Sequence, residues 1–137
     1  MARFITDYDD IAINYNHKRR KPWKYFLDFL EELNQLEIGT TLNTGGIVCD
    51  LGCGTGRHTQ IILSKSDVYI GIDLSFKMLE IAKSNLEKTI KIKSVNSNWV
   101  ACDVENLPFR ENSFSNIYSI AVIHHIISKK HRQLFYS

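Results

Sequence analysis

Two periodicities alternate along this chain. Short continuous apolar runs that finish at or beside an acid are separated by stretches in which apolar residues recur every three or four positions. The first pattern is that of strands buried on both faces, the second that of helices with one buried side. Asp7 to Asn16 is expected to form a short helix, and Pro22 stands at the first turn of a second, Trp23 to Asn34. In that helix Trp23, Phe26, Leu27, Leu30 and Leu33 fall at helical spacing. Asn43-Thr44-Gly45-Gly46 is a turn before the first strand, Ile47 to Leu51, and a helix over Arg57 to Leu63 follows it. Asp67 to Asp73 is the second strand. Ser75 then N-caps a helix to about Lys88, with Met78, Leu79, Ile81, Ala82 and Leu86 as its buried stripe. Lys91 to Asn98 is a polar, basic excursion, and Asn98 to Asp103 is the third strand. Glu105 to Ser113 is a loop carrying Pro108, Ser115 to Ile123 is a nearly continuous apolar fourth strand, and a further helix begins at Ser128.

Strands and helices in alternation predict an α/β domain with a parallel sheet and its ligand site at the strand C-termini. At 137 residues, one domain over 1–137 is expected. Charged residues make up 23% and hydrophobic ones 44%, which excludes a disordered chain. A net charge of +2 is too small to argue for nucleic acid alone. No stretch approaches the ~20 apolar residues of a membrane span, so no membrane partner is expected and the expected location is cytoplasmic. The three cysteines make no disulfide framework or metal-ligand spacing, and Cys49 and Cys53 read as small apolar fillers with no metal expected.

The chemistry concentrates in Asp50-Leu51-Gly52-Cys53-Gly54-Thr55-Gly56. Glycines let the backbone turn tightly and approach a ligand closely. A dinucleotide fingerprint needs G-x-G-x-x-G, but here the glycines fall at 52, 54 and 56, with Arg57 at the third fingerprint position. Asp50 at the strand end would repel a phosphate and attract a cation. S-adenosylmethionine, with a nucleoside at one end and a sulfonium and ammonium at the other, fits both features. Asp73, 17 residues past Gly56, stands where a ribose-binding carboxylate belongs. Asp103 ends the third run, where it can accept a hydrogen bond from an adenine amino group. Each Asp alone would be equally at home capping a helix or turn.

These residues resemble the S-adenosylmethionine site of class I methyltransferases, whose Rossmann-like domain the resemblance implies, here with N-terminal helices added. Two further segments resemble the tRNA wobble-uridine carboxymethyl methyltransferases. Tyr8 to Trp23 carries the pattern Y-x-x-I-A-x-x-Y and a later K-P-W, and Ser119 to His125 reads S-I-A-V-I-H-H. The resemblance implies cofactor contacts from Asp50, Gly52, Gly54, Gly56, Asp73, Asp103 and Ala121. It also implies a tRNA substrate and a small zinc-containing activator protein as partner. Thr55 and Arg57-His58 depart from the family's usual Asn and Lys-Tyr. A complete domain of this kind has further strands after the fourth, so an incomplete domain with its C-terminal strands missing is expected.

Methyl transfer to a carboxymethyl group uses a nucleophile already ionised at neutral pH, so no strong base is required. His124 and His125 are then substrate-edge groups that orient or hydrogen-bond, with a strand-end structural role as the alternative. Lys18, Arg19, Arg20 and Lys21 are either RNA phosphate contacts or a solvated loop. Trp23 is expected in the helix core, and His58 and His131 on the surface. Two other functions use part of the same evidence: methyl transfer to a small molecule, which needs no basic run, and a non-catalytic half-domain that binds a partner.

Overall fold

The computed structural model describes residues 7–36, 45–90 and 96–122. Within them the chain forms α1 (Tyr8–Lys18), α2 (Lys24–Gln35), β1 (Ile47–Leu51), α3 (Thr59–Leu63), β2 (Val68–Asp73), α4 (Phe76–Thr89), β3 (Ser97–Ala101) and β4 (Asn116–Ser119). All paired strands are parallel and the sheet order is β3-β2-β1-β4. Parallel neighbours need crossovers, and α3 and α4 supply the first two. The order reverses beside β1, which has β2 on one side and β4 on the other. Ligands of open α/β sheets bind outside the strand C-termini at such a reversal.

Alternation along each strand divides the core in two. Val48 and Tyr69 face Ile62 of α3 and Phe26 and Leu30 of α2, with Trp99 and Tyr118 packed alongside. Cys49, Leu51 and Ile72 face the other way, under Val104, Leu107, Phe109 and Phe114 from the segment after β3. Tyr69 and Ile72 are fully buried; a large apolar side chain so placed contributes about 1.5–3 kcal/mol. Gly71 lies between Asp50 and Trp99 in the sheet register. A Cβ there would come within 2.7 Å of the Trp99 ring, so the ring's position over β2 requires glycine. Ser75 caps α4 as expected, its Oγ accepting from Met78 N at 3.0 Å, a contact worth about 1 kcal/mol.

Several boundaries move, each for a local reason. α1 runs on to Lys18 rather than stopping at Asn16. Trp23 is the N-cap of α2, with extended backbone (φ −65°, ψ 131°), so Pro22 precedes the helix instead of opening it. Only Phe26 and Leu30 of the expected stripe are buried; Leu27 is 41% exposed. Arg57 and His58 form a turn and α3 begins at Thr59. The fourth strand is Asn116–Ser119, shorter than its apolar run, and Ala121 adopts φ 59°, which no strand accommodates. The helix expected from Ser128, along with His124, His125 and His131, lies outside the described residues.

Candidate active site

β1 feeds directly into the glycine loop, where Gly52, Gly54 and Gly56 all have positive φ (69°, 56° and 78°). Gly52 N and Cys53 N donate to Ile72 O at 2.7 and 2.9 Å, which draws the loop across the end of β2. Gly54 N then donates to Asp73 Oδ2 at 2.9 Å. An added Cβ tells the three glycines apart. At Gly52 it would meet Val122 Cγ2 at 2.4 Å, and at Gly56 it would meet Thr59 Oγ1 at 2.9 Å and Ala82 Cβ of α4 at 3.1 Å. At Gly54 it would meet only the Tyr15 ring, at 3.8 Å. Gly52 and Gly56 are packing positions, whereas Gly54 presents open backbone beneath Tyr15.

Asp73 organises this corner. Its Oδ2 holds Gly54 N and its Oδ1 accepts from Ser75 N at 2.9 Å, so the carboxylate ties the glycine loop to the start of α4. Cys102 N donates to Asp73 O at 3.0 Å, which sets Asp103 beside it just beyond β3. Asp103 Oδ1 accepts from Glu105 N at 3.0 Å, an Asx turn. For Asp73 and Asp103 the turn-forming role is therefore present alongside any ligand role.

Asp50 differs from the expectation of an accessible strand-end acid. It is only 3% exposed, and Tyr69 donates to its Oδ2 at 2.9 Å. Thr59 Oγ1 lies 2.9 Å from the same Tyr69 hydroxyl, completing a buried chain from α3 through β2 to β1. Burial pushes the Asp50 carboxyl up to about 7; the Tyr69 hydrogen bond opposes that rise and the Asp73 charge adds to it. Tyr69 is itself held well above its ordinary value by burial, so it remains a donor.

The N-terminal helix covers the loop. Asp9 Oδ1 bonds Ser75 Oγ and accepts from Lys77 N at 3.1 Å. Asn85 Nδ2 of α4 donates to Asn16 Oδ1 at 2.8 Å and to Thr55 O at 3.0 Å. Tyr8 and Tyr15, two helical turns apart, face the site. Partial burial, then Tyr15, then the Asp73 charge raise the Tyr8 hydroxyl above its ordinary value. Lys18 closes α1 and Arg19, Arg20 and Lys21 follow, all exposed. Arg19 lies over the Tyr15 ring and Arg57 over the Trp23 ring, each 4.8 Å from the centroid.

Two expectations are corrected here. Trp23 is not a core residue: it is 37% exposed, because its extended backbone takes it out of the buried stripe of α2. His58 is not on the surface: it is 7% exposed and accepts from Trp23 N at 3.1 Å. Burial, with the Arg57 charge, pushes its imidazole down to about 4, so it stays neutral and can accept that bond. Sequence reasoning also missed Tyr69 and Thr59. The available signal for Tyr69 was its place two residues before Gly71 and four before Asp73, on one face of β2.

The methyltransferase domain family model matches residues 48–137, which is most of the chain. The chain belongs to the methyltransferase domain family. It is 33% identical over 125 residues to a tRNA (carboxymethyluridine(34)-5-O)-methyltransferase of Xenopus tropicalis, a match covering 91% of this chain and 17% of that protein. A Saccharomyces cerevisiae protein of the same name is 30% identical over 126 residues, with 91% of this chain and 38% of that one covered. The methyltransferase chain thus spans well under half the length of these relatives. Among solved structures, a putative S-adenosyl-L-methionine-dependent methyltransferase of Methanococcus maripaludis superposes with a TM-score of 0.71 at 19% identity, over 99% of this chain and 61% of that one. A Haemonchus contortus phosphoethanolamine N-methyltransferase gives 0.70 at 24% identity, over 96% and 30% respectively. The fold is that of S-adenosylmethionine-dependent methyltransferases. Among the described residues no helix is long and apolar enough to cross a membrane, and no cluster of side chains is arranged to hold a metal ion.

Proposed function

We propose that this methyltransferase chain, as a single domain, binds S-adenosylmethionine over the glycine loop and methylates the carboxylate of 5-carboxymethyluridine at the tRNA wobble position. One observation carries the cofactor half: Gly54, with φ 56° and an open Cβ direction, has its N–H anchored on Asp73. A side chain at Gly54 would fill the cradle. The surrounding acceptors suit a ligand with hydroxyls and a positive charge, since Asp50, Asp73 and Asp103 are all acids and would repel phosphate.

When bound, S-adenosylmethionine supplies an electrophilic methyl carbon on a positively charged sulfur. The chain's own residues orient the reactants. Asp73 accepts from the ribose hydroxyls, and Asp103 accepts from the adenine edge. Asp50, held by Tyr69, faces the cationic end of the ligand. Gly52 and Gly56 keep the loop in register with Val122 and Ala82, and Ala121, in its left-handed conformation, sets the segment that packs Val122 against Gly52. The acceptor carboxylate needs no base, so the rate comes from alignment of the reacting atoms. His124 and His125 orient the substrate edge, and Lys18, Arg19, Arg20 and Lys21 contact RNA phosphates.

The tRNA assignment is supported by the relatives' names and by the exposed basic run after α1. With it come a cytoplasmic location and a small zinc-containing activator as partner. Calorimetric titration with S-adenosylhomocysteine tests the cofactor half. The intact protein should bind it, and Asp73→Ala should bind at least tenfold more weakly, from lost hydrogen bonds worth ~1.5–3 kcal/mol each. Equal affinity in both proteins would refute the site.

A further inference from the structure

The basic run after α1 does not end in sequence: the fold adds Arg57, from the other side of the glycine loop. Arg57 lies over Trp23 and Arg19 over Tyr15, each at 4.8 Å. The backbone N–H of Trp23 donates to His58 Nε2 at 3.1 Å, and the Trp23 ring meets that imidazole edge-on. Tyr15 stands over Gly54, its Cε1 3.8 Å from where a Cβ there would lie. Each guanidinium therefore rests over an aromatic ring, a contact that narrows the rotamer freedom an arginine loses on binding.

Their electrostatics are unbalanced. Burial lowers the Arg57 pKa from its ordinary value, Tyr15 opposes this, and the charge of Arg19 adds to it. The two cations are thus close enough to disfavour one another. The ion pairs Lys24–Asp28 and Lys77–Glu80 involve neither Arg19 nor Arg57, each of which lies instead over an aromatic ring. His58, neutral because burial holds its imidazole down to about 4, adds no charge to this corner and serves as a hydrogen-bond acceptor. An oxyanion between the guanidiniums would relieve their repulsion and match the planar donor geometry of both.

We propose that Arg57 and Arg19, seated on Trp23 and Tyr15, form a clamp for a phosphate of the RNA backbone. This rests on the reading of tRNA as substrate. Charge count favours RNA over the single carboxylate of a bound cofactor: Lys18, Arg20 and Lys21 continue the positive surface and are all exposed. One carboxylate neutralises one cation, whereas successive phosphates serve the whole run. The clamp also sets the nucleic acid against the glycine loop, since Arg57 directly follows Gly56.

The test compares the intact protein, Arg57→Ala and Arg57→Lys for binding to a tRNA anticodon stem-loop across a salt series, with S-adenosylhomocysteine affinity and melting temperature measured in parallel. Arg57→Ala should weaken RNA binding about tenfold at roughly 0.1 M salt and make the log K against log salt slope shallower by about 0.9. Arg57→Lys keeps the charge, so the slope should return while affinity stays below that of the intact protein, and this holds even if the alanine variant folds poorly. Cofactor affinity should not change in either. An unchanged salt slope in Arg57→Ala overturns the clamp. So does lost S-adenosylhomocysteine binding with RNA binding intact, which would give the pair to the cofactor carboxylate. Failure of the unmutated protein to bind S-adenosylhomocysteine would count against methyl transfer separately, leaving the slope comparison to decide the clamp.

Discussion

Replacing Tyr69 by Phe removes one oxygen from the buried centre of the domain and leaves the ring packed against Trp99, 5.4 Å away between centroids. That oxygen donates to Asp50 at 2.9 Å and lies 2.9 Å from Thr59 Oγ1. A hydrogen bond to a charged group is worth ~1.5–3 kcal/mol. At 1.36 kcal/mol per pH unit, its loss should raise the Asp50 pKa by about one to two units. Burial has already pushed Asp50 up to about 7, so in the variant the carboxyl is largely protonated at neutral pH. The stability sign follows from that raised value. The stabilising contribution is complete below the unfolded carboxyl pKa near 4 and is lost as pH rises through 7. In Tyr69→Phe the loss extends further up the scale. A ligand whose ammonium faces Asp50 prefers that carboxylate ionised, so its affinity in the intact protein should climb through pH 7 and level off. The variant's curve should be displaced upward by the same one to two units, leaving binding at pH 7 weaker by roughly tenfold. Calorimetric titrations with S-adenosylhomocysteine between about pH 5.5 and 9 would read this. The ligand's own amine titrates identically with both proteins, so the displacement isolates Asp50. Superimposable curves would show that Tyr69 does not govern Asp50, or that Asp50 does not meet the ligand's charge.

The glycines should separate binding from stability. Gly54→Ala has room for its Cβ and should cost only about 1–2 kcal/mol for its left-handed backbone while abolishing S-adenosylhomocysteine binding. Gly56→Ala meets Thr59 and Ala82 and should lower the melting temperature more. Asp73→Asn keeps one acceptor but turns an amide toward a backbone N–H, so it should weaken both loop and ligand, by ~1–3 kcal/mol in chemical denaturation. His58, pushed down to about 4, contributes stability above the ordinary imidazole range that is lost as pH falls toward 4. His58→Phe should flatten that part of the urea-midpoint profile and free Trp23, detectable as a change in Trp fluorescence.

Much of this fold was legible because buried strands and amphipathic helices write different periods. Ser75 announced its own cap, and Ile47 to Gly56 announced strand and loop together. What the sequence withheld was mostly three-dimensional. Pro22 suggested a helix opening, yet the extended backbone at Trp23 delayed it and moved that ring from core to rim. His58 looked like a surface residue because its partner, Trp23 N, is 35 positions away in sequence. Asp50 was found as an acid, but its burial depends on a tyrosine in the next strand. The Y-x-x-I-A-x-x-Y pattern was visible as a signature; only the packing of α1 on α4 gives it a physical role, by seating Tyr15 over Gly54.

The most direct measurement is nucleoside mass spectrometry on tRNA bearing 5-carboxymethyluridine after incubation with S-adenosylmethionine and the intact protein. Methyl transfer to the carboxylate predicts a methyl ester at the wobble uridine. The ester should be lost on mild alkaline hydrolysis, absent without S-adenosylmethionine, and strongly reduced with Asp73→Ala. A methyl group that survives alkali, or transfer to a small molecule while the tRNA stays unmodified, would contradict the assignment.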